Sequence, residues 1–273
     1  MDKLIERPHY LNQLIENKDV DLVKVVTGIR RCGKSSLMTL FHNYLAASGV
    51  EEQQIIHINL ESLKYRHLQD YLAFYDFVSE KISENKRYYL LFDEVQSVRH
   101  WEKAIESFRL DYDVDIYITG SNAYLLSSLL SGRYVEIRML PLSFKEFLRF
   151  YKFQENVSLD EQFQEYLKYG GMPILREYNF NEVRMNQALE GIYSTIILRD
   201  ILQRNTGVEQ LTLEKVVRFL CSNIGSITSP NNIGNILSHE GDLQNPKGKN
   251  IAGKTIEKYI SLYVTYLKFF MKI

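Results

Sequence analysis

Gly28-Ile29-Arg30-Arg31-Cys32-Gly33-Lys34-Ser35 has the spacing G-x-x-x-x-G-K-[ST], at which backbone amides can wrap a phosphate chain. The glycines let the main chain curl so that successive N–H groups point inward, and the helix that follows adds the positive end of its dipole. Lys34 is placed to reach the β- and γ-phosphates of a nucleotide, and the Ser35 hydroxyl to ligate Mg²⁺. Ser36 completes the expected binding set. A second cluster closes the apolar run at residues 88–92: Asp93 and Glu94. Beside a phosphate loop, a carboxylate there holds Mg²⁺ through water, opposite Ser35. That makes Asp93 the metal-side candidate and Glu94 the general base for a water attacking the γ-phosphate. Thr119-Gly120-Ser121-Asn122 ends another apolar run, and Ser121 or Asn122 could bond that water or cap the next helix. Arg133 is the candidate for stabilising transition-state charge, in cis or from a neighbouring subunit.

The same letters occur twice. Gly248-Lys249-Asn250-Ile251-Ala252-Gly253-Lys254-Thr255 also fits the pattern, yet the residues before it, 239–247, contain Pro246 and cannot be a buried strand. This copy is expected to be a basic loop with Thr255 near a helix N-cap, not a nucleotide site.

The elements that must position these groups alternate. Residues 21–27, 54–60, 88–92, 114–119 and 134–140 read as strands. Helical patterns at 34–47, 62–85, 101–111 and 122–130 separate them, after a first helix opened by Pro8. Such alternation implies right-handed crossovers and an α/β fold around a five-stranded, mostly parallel sheet. After Pro141 the strands stop. Ser143–Glu146 and Ser158–Glu161 fit capping boxes, Gly170-Gly171 and Pro173 end the second helix, and further helices are expected at 181–204, 211–224, from Ser229-Pro230, and from about Thr255.

Composition narrows the alternatives. The 273 residues carry 33 Lys plus Arg against 34 Asp plus Glu, a net −1 that excludes a polycationic nucleic-acid coat over the whole chain. Cys32 and Cys221 are too few for a disulfide framework or a cysteine zinc site. The first residues are charged where a signal peptide is apolar, and no apolar run approaches the ~18 residues of a membrane helix, so a soluble, cytoplasmic protein is expected.

Residues 28–35, 92–96, 118–122, 131–133 and 141–146 together resemble a prokaryotic AAA+/STAND-like family of P-loop ATPases. The resemblance implies ATP and Mg²⁺ as ligands, and a sheet whose P-loop strand and acidic strand flank the strand ending at Thr119. It implies that Pro173, in Gly171-Met172-Pro173, packs on adenine, although Gly-Gly-x-Pro also simply ends a helix. Arg7 and Tyr10 lie where such families close the base pocket. The expected organisation is a P-loop core at 1–142, a helical lid at 143–205 and a winged-helix-like region at 206–273. Relatives typically continue into another domain, so a truncated winged helix is expected.

The leading function is therefore a nucleotide-driven switch or regulatory ATPase. A small-molecule kinase would need an arginine-rich mobile lid. A GTPase would need Asn-Lys-x-Asp late in the chain, and Asn17-Lys18-Asp19-Val20 has the wrong last residue and the wrong place. A DNA-binding winged-helix protein with a regulatory nucleotide site is the third rival. Lys247, Lys249, Lys254, Lys258, Lys268 and Lys272 oppose only Glu257 there, a patch that suits weak DNA binding. A protein partner or self-association is also compatible.

Overall fold

The computed structural model describes residues 4–83, 86–120, 132–195, 201–202, 205, 207–239 and 252–268. The chain divides into two compact units, residues 1–179 and 180–273.

The first unit holds five strands: β1 (Val23–Gly28), β2 (Ile55–Asn59), β3 (Tyr88–Asp93), β4 (Val114–Gly120) and β5 (Tyr134–Met139). They form one sheet in the order β2-β3-β4-β1-β5, and every neighbouring pair is parallel. β1 and β3 are buried along their whole length; β3 reads as an apolar run up to Asp93, whereas β1 also buries Lys24 and Thr27. Helices α1 (Pro8–Glu16), α2 (Lys34–Ala47), α3 (Tyr71–Ser79) and α4 (Trp101–Asp111) belong to the same unit. Phe74 of α3 meets Phe92 of β3 and Phe108 of α4 edge to face, with ring centres 4.8 and 5.7 Å apart. Phe41 of α2 lies 4.5 Å from the Tyr117 ring of β4.

Parallel strands put all their carboxyl ends on one edge. Gly28 is level with Met139, Thr27 with Gly120, and Asn59 with Asp93, so the glycine loop and the acidic strand end face the same way. At the opposite end Lys24 is fully buried and pairs with Asp115, whose second oxygen accepts from Tyr117 Oη and the Asp19 N–H, each at 2.8 Å. Burial pulls the Lys24 ammonium below its ordinary value against the raising effect of Asp115.

The helix expected over residues 62–85 is shorter than its pattern. A 3₁₀ turn at Leu63–Tyr65 comes first, and α3 starts only at Tyr71. Asp70 explains the break. Its carboxylate caps Leu72 N–H at 3.0 Å, and the Gln69 carbonyl accepts from Arg99 N–H at 2.8 Å, which holds the chain extended there. The expected helix at 122–130 lies outside the described residues. Both capping boxes form, opening the helices Phe144–Phe150 and Leu159–Tyr169.

The second unit contains the helices Glu182–Thr195, Gln210–Ser222, Pro230–His239 and Gly253–Lys268. Leu213, Val216, Ile233, Leu237, Ile256 and Tyr259 form its core, and Tyr259 Oη accepts from Glu209 N–H at 2.9 Å. All regular elements among its described residues are helices. Across the described residues no helix is long and apolar enough to cross a membrane.

Candidate phosphate-binding site

The loop between β1 and α2 depends on two glycines. Gly28 has φ +152°, and a Cβ there would meet the Met139 carbonyl oxygen at 2.4 Å and Cys32 Sγ at 2.9 Å. Gly33 has φ +102° at the N-cap of α2, a conformation that side-chain-bearing residues rarely adopt. Arg31 is exposed with φ 65°. Cys32 turns fully inward, and burial pushes its thiol up, so it is a packing group rather than a nucleophile. Arg30 pairs with Glu61 at 3.2 Å.

The loop is braced from outside. Arg7, 4% exposed, donates to Glu146 at 2.7 and 2.9 Å, to the Leu140 carbonyl at 2.7 Å and to the Cys32 carbonyl at 3.4 Å. Its guanidinium lies 4.5 Å from the Tyr10 ring centre, and Tyr10 Oη accepts from Leu140 N–H. Burial raises the Glu146 carboxyl, but the bonds from Arg7 and Ser143 outweigh it and hold the pKa below the ordinary carboxylate value. Arg7 and Tyr10 are thus engaged with the chain after β5.

Lys34 is 4% exposed, and among the described residues its ammonium meets acceptors: the Gly28 and Ile29 carbonyls at 3.1 and 3.3 Å, and Glu94 Oε1 at 3.5 Å. Asp93 and Glu94 are both buried. One hydroxyl links them. Thr119 Oγ1 donates to Asp93 Oδ1 and accepts from Glu94 N–H at 2.9 Å. Asn59 Nδ2 donates to Asp93 Oδ2 at 3.4 Å, and Gln96 Nε2 donates to Glu94 Oε2. Glu94 sits at φ 55°, where the Thr119 bond fixes its backbone.

Sequence reasoning placed Lys34, Asp93 and Glu94 here but assigned no role to Thr119, Asn59 or Gln96. The available signal for Thr119 was a hydroxyl at the end of an apolar strand beside two acids. Asn59 carried none, and Gln96 only its place at the end of the 92–96 motif. Ser35 and Ser36 are exposed on the first turn of α2. Ser121 and Asn122 lie outside the described residues.

Pro173 opens the 3₁₀ turn Pro173–Tyr178. Gly171 lies against Leu142, whose N–H donates to the Gly171 carbonyl at 2.6 Å; a Cβ would meet the Leu142 carbonyl oxygen at 2.2 Å. Arg133 is exposed at the other edge of the sheet, where its carbonyl accepts from Val23 N–H. From Arg133 to Met139, level with Gly28, is six residues or about 20 Å of strand, beyond reach of the chain's own glycine loop.

The residues present fit a magnesium nucleotide. A cation surrounded by carbonyls and a carboxylate, next to a glycine cradle at a helix N-terminus, can exchange those acceptors for phosphate oxygens. A carboxylate such as that of Asp93 and a hydroxyl such as that of Ser35 are the kinds of oxygen donor a magnesium ion would take.

Residues 21–148 match the model of a family described as an AAA domain, and residues 160–267 match a domain of unknown function. An uncharacterised protein of Haemophilus influenzae is 39% identical over 265 residues, 95% of this chain and 64% of that protein. One from Methanocaldococcus jannaschii is 29% identical over 232 residues, 78% of this chain and 48% of its own. The chain thus spans less than two thirds of these relatives. Among solved structures, a Walker-type ATPase of Pyrococcus abyssi shares the fold with TM-score 0.63 at 19% identity, over 97% of this chain and 90% of that one.

Proposed function

Residues 21–148 belong to the AAA+ P-loop ATPases, and on that premise we propose that the chain binds ATP with Mg²⁺ and hydrolyses it as a nucleotide-driven switch. One observation carries the reading: the Lys34 ammonium is held at the strand–loop–helix junction by two loop carbonyls and by Glu94.

In this reading Lys34 moves onto the β- and γ-phosphates, and the loop from Gly28 through Ser36 supplies its amides to them. Ser35 and Asp93 hold Mg²⁺, which neutralises charge on the phosphates when bound. Glu94 takes a proton from the attacking water, whose oxygen bonds to the γ-phosphorus as the bond to ADP breaks. Ser121 or Asn122 orients that water. Arg133 acts on the nucleotide of an adjacent subunit, because its own loop is at the far edge of the sheet. Pro173 packs on the base, with residues 143–205 as a lid and 206–273 as a winged-helix-like region of STAND type.

The test is binding and phosphate release by the purified chain with ATP, with GTP, and without Mg²⁺. Magnesium-dependent binding and hydrolysis of ATP are expected. Preference for GTP, or no nucleotide binding, overturns the reading. For Arg133, mixing Arg133→Ala with Lys34→Ala protein should restore hydrolysis that each lacks alone; no recovery removes the trans assignment.

A further inference from the structure

Gln96 lies two residues past Glu94, in the 3₁₀ turn Val95–Ser97 that follows β3. Its Nε2 donates to Glu94 Oε2, while Glu94 Oε1 faces the Lys34 ammonium at 3.5 Å. The two donors differ in what nucleotide binding does to them. Lys34 is on the phosphate loop, and an incoming phosphate competes for its charge. Gln96 carries no charge that a phosphate would draw away. Its Oε1 is buried with no partner among the described residues, so Glu94 alone dictates how the amide is turned. The reverse orientation would set an amide oxygen against a carboxylate oxygen. The backbone of Glu94 is already pinned by Thr119, which leaves the carboxylate's direction as the remaining freedom.

We propose that Gln96 is the positioning residue for Glu94. It keeps Oε2 in place while Lys34 exchanges Oε1 for a phosphate, so that Oε1 is left aimed at the attacking water. The proposal rests on Glu94 acting as the base in ATP hydrolysis.

Two near-isosteric variants test it. Gln96→Met keeps the length and bulk without the donor; Gln96→Glu keeps the shape and opposes the carboxylate. Each should lower kcat by about tenfold or more, with the ATP dissociation constant changed by less than about threefold. In a Glu94→Gln background, single-turnover phosphate release should not fall further on adding Gln96→Met, because the residue acts only through the base. Unchanged kcat in both variants would overturn the proposal. So would a full additional loss in the Glu94→Gln background, or a parallel loss of ATP affinity and folding stability in both variants, which would mark Gln96 as structural. Failure of the hydrolysis reading itself is distinguishable: the wild-type chain would then release no phosphate.

Discussion

Gly33-Lys34-Ser35 and Gly253-Lys254-Thr255 have nearly the same letters and opposite surroundings. The first follows a buried strand, and its lysine is 4% exposed among two carbonyls and a carboxylate. The second opens the helix Gly253–Lys268, and Lys254 and Thr255 are exposed there. The glycines also serve different ends. Gly28 and Gly33 have positive φ that the loop requires, whereas Gly253 gives room to a neighbouring helix: a Cβ there would meet Asn231 Oδ1 at 1.7 Å. The family match at 21–148 includes the first loop and not the second. A motif is therefore a statement about what precedes and supports it. The P-loop is supported by a strand, by Arg7 on the Cys32 carbonyl and by a second strand's acids; among the described residues the helix Pro230–His239 is what precedes the other.

The largest expected effect lies on Glu94, the acid that faces Lys34. Glu94→Gln should keep ATP bound while lowering phosphate release by about 10²- to 10⁴-fold. Equilibrium binding beside single-turnover release checks it. Joint loss of both would make Glu94 a structural or metal-holding group.

Next comes the lysine itself. Lys34→Ala removes a charge-assisted contact of about 1.5–3 kcal/mol, so ATP affinity should fall roughly 10- to 150-fold. Titration with a fluorescent ATP analogue would read this, and an unchanged affinity would break the comparison at its root.

A smaller effect concerns the brace. Glu146→Gln leaves the buried Arg7 guanidinium without its carboxylate and should cost about 1–3 kcal/mol at pH 7. Because the folded state holds Glu146 below its ordinary pKa, the unfolded chain binds more protons as pH falls through that interval. The ion pair's contribution is full above the ordinary carboxylate pKa and fades below it. Urea midpoints of wild type and variant should therefore converge on acidification. A gap that widens in acid would contradict the assigned shift.

How much of this was legible follows from which interactions have a period. The strand pattern located all five strands to within two residues at each end, because short runs rich in β-branched and aromatic residues alternate with helical patterns, even where β5 is only partly buried. Both capping boxes were readable because their partners are three residues apart. The Arg7–Glu146 pair spans 139 residues, and the Thr119–Asp93 bond spans 26. Nothing local announces either. The 62–85 segment misled for the converse reason: its helical pattern was real, but Asp70 and the Gln69–Arg99 bond interrupt it from outside.

The smallest effect is the most discriminating one. Lys254→Ala should change ATP affinity by less than about twofold, under ~0.5 kcal/mol. Lys254 has a helix N-terminus beside it, as Lys34 does, so the dipole alone would favour phosphate equally at both. What differs is the cradle: at Lys34 a strand end, two glycines of positive φ and a facing carboxylate fix where the charge sits before any ligand arrives. Lys254 is solvated, and a solvated ammonium gains little by exchanging water for phosphate. Any function it has should then be non-specific and ionic, seen as a shallower salt dependence of DNA binding in Lys254→Ala if the chain binds DNA. Equal loss of ATP affinity in the two lysine variants would mean that the letters and the dipole suffice, and that the buried strand and the facing acid add nothing to the site.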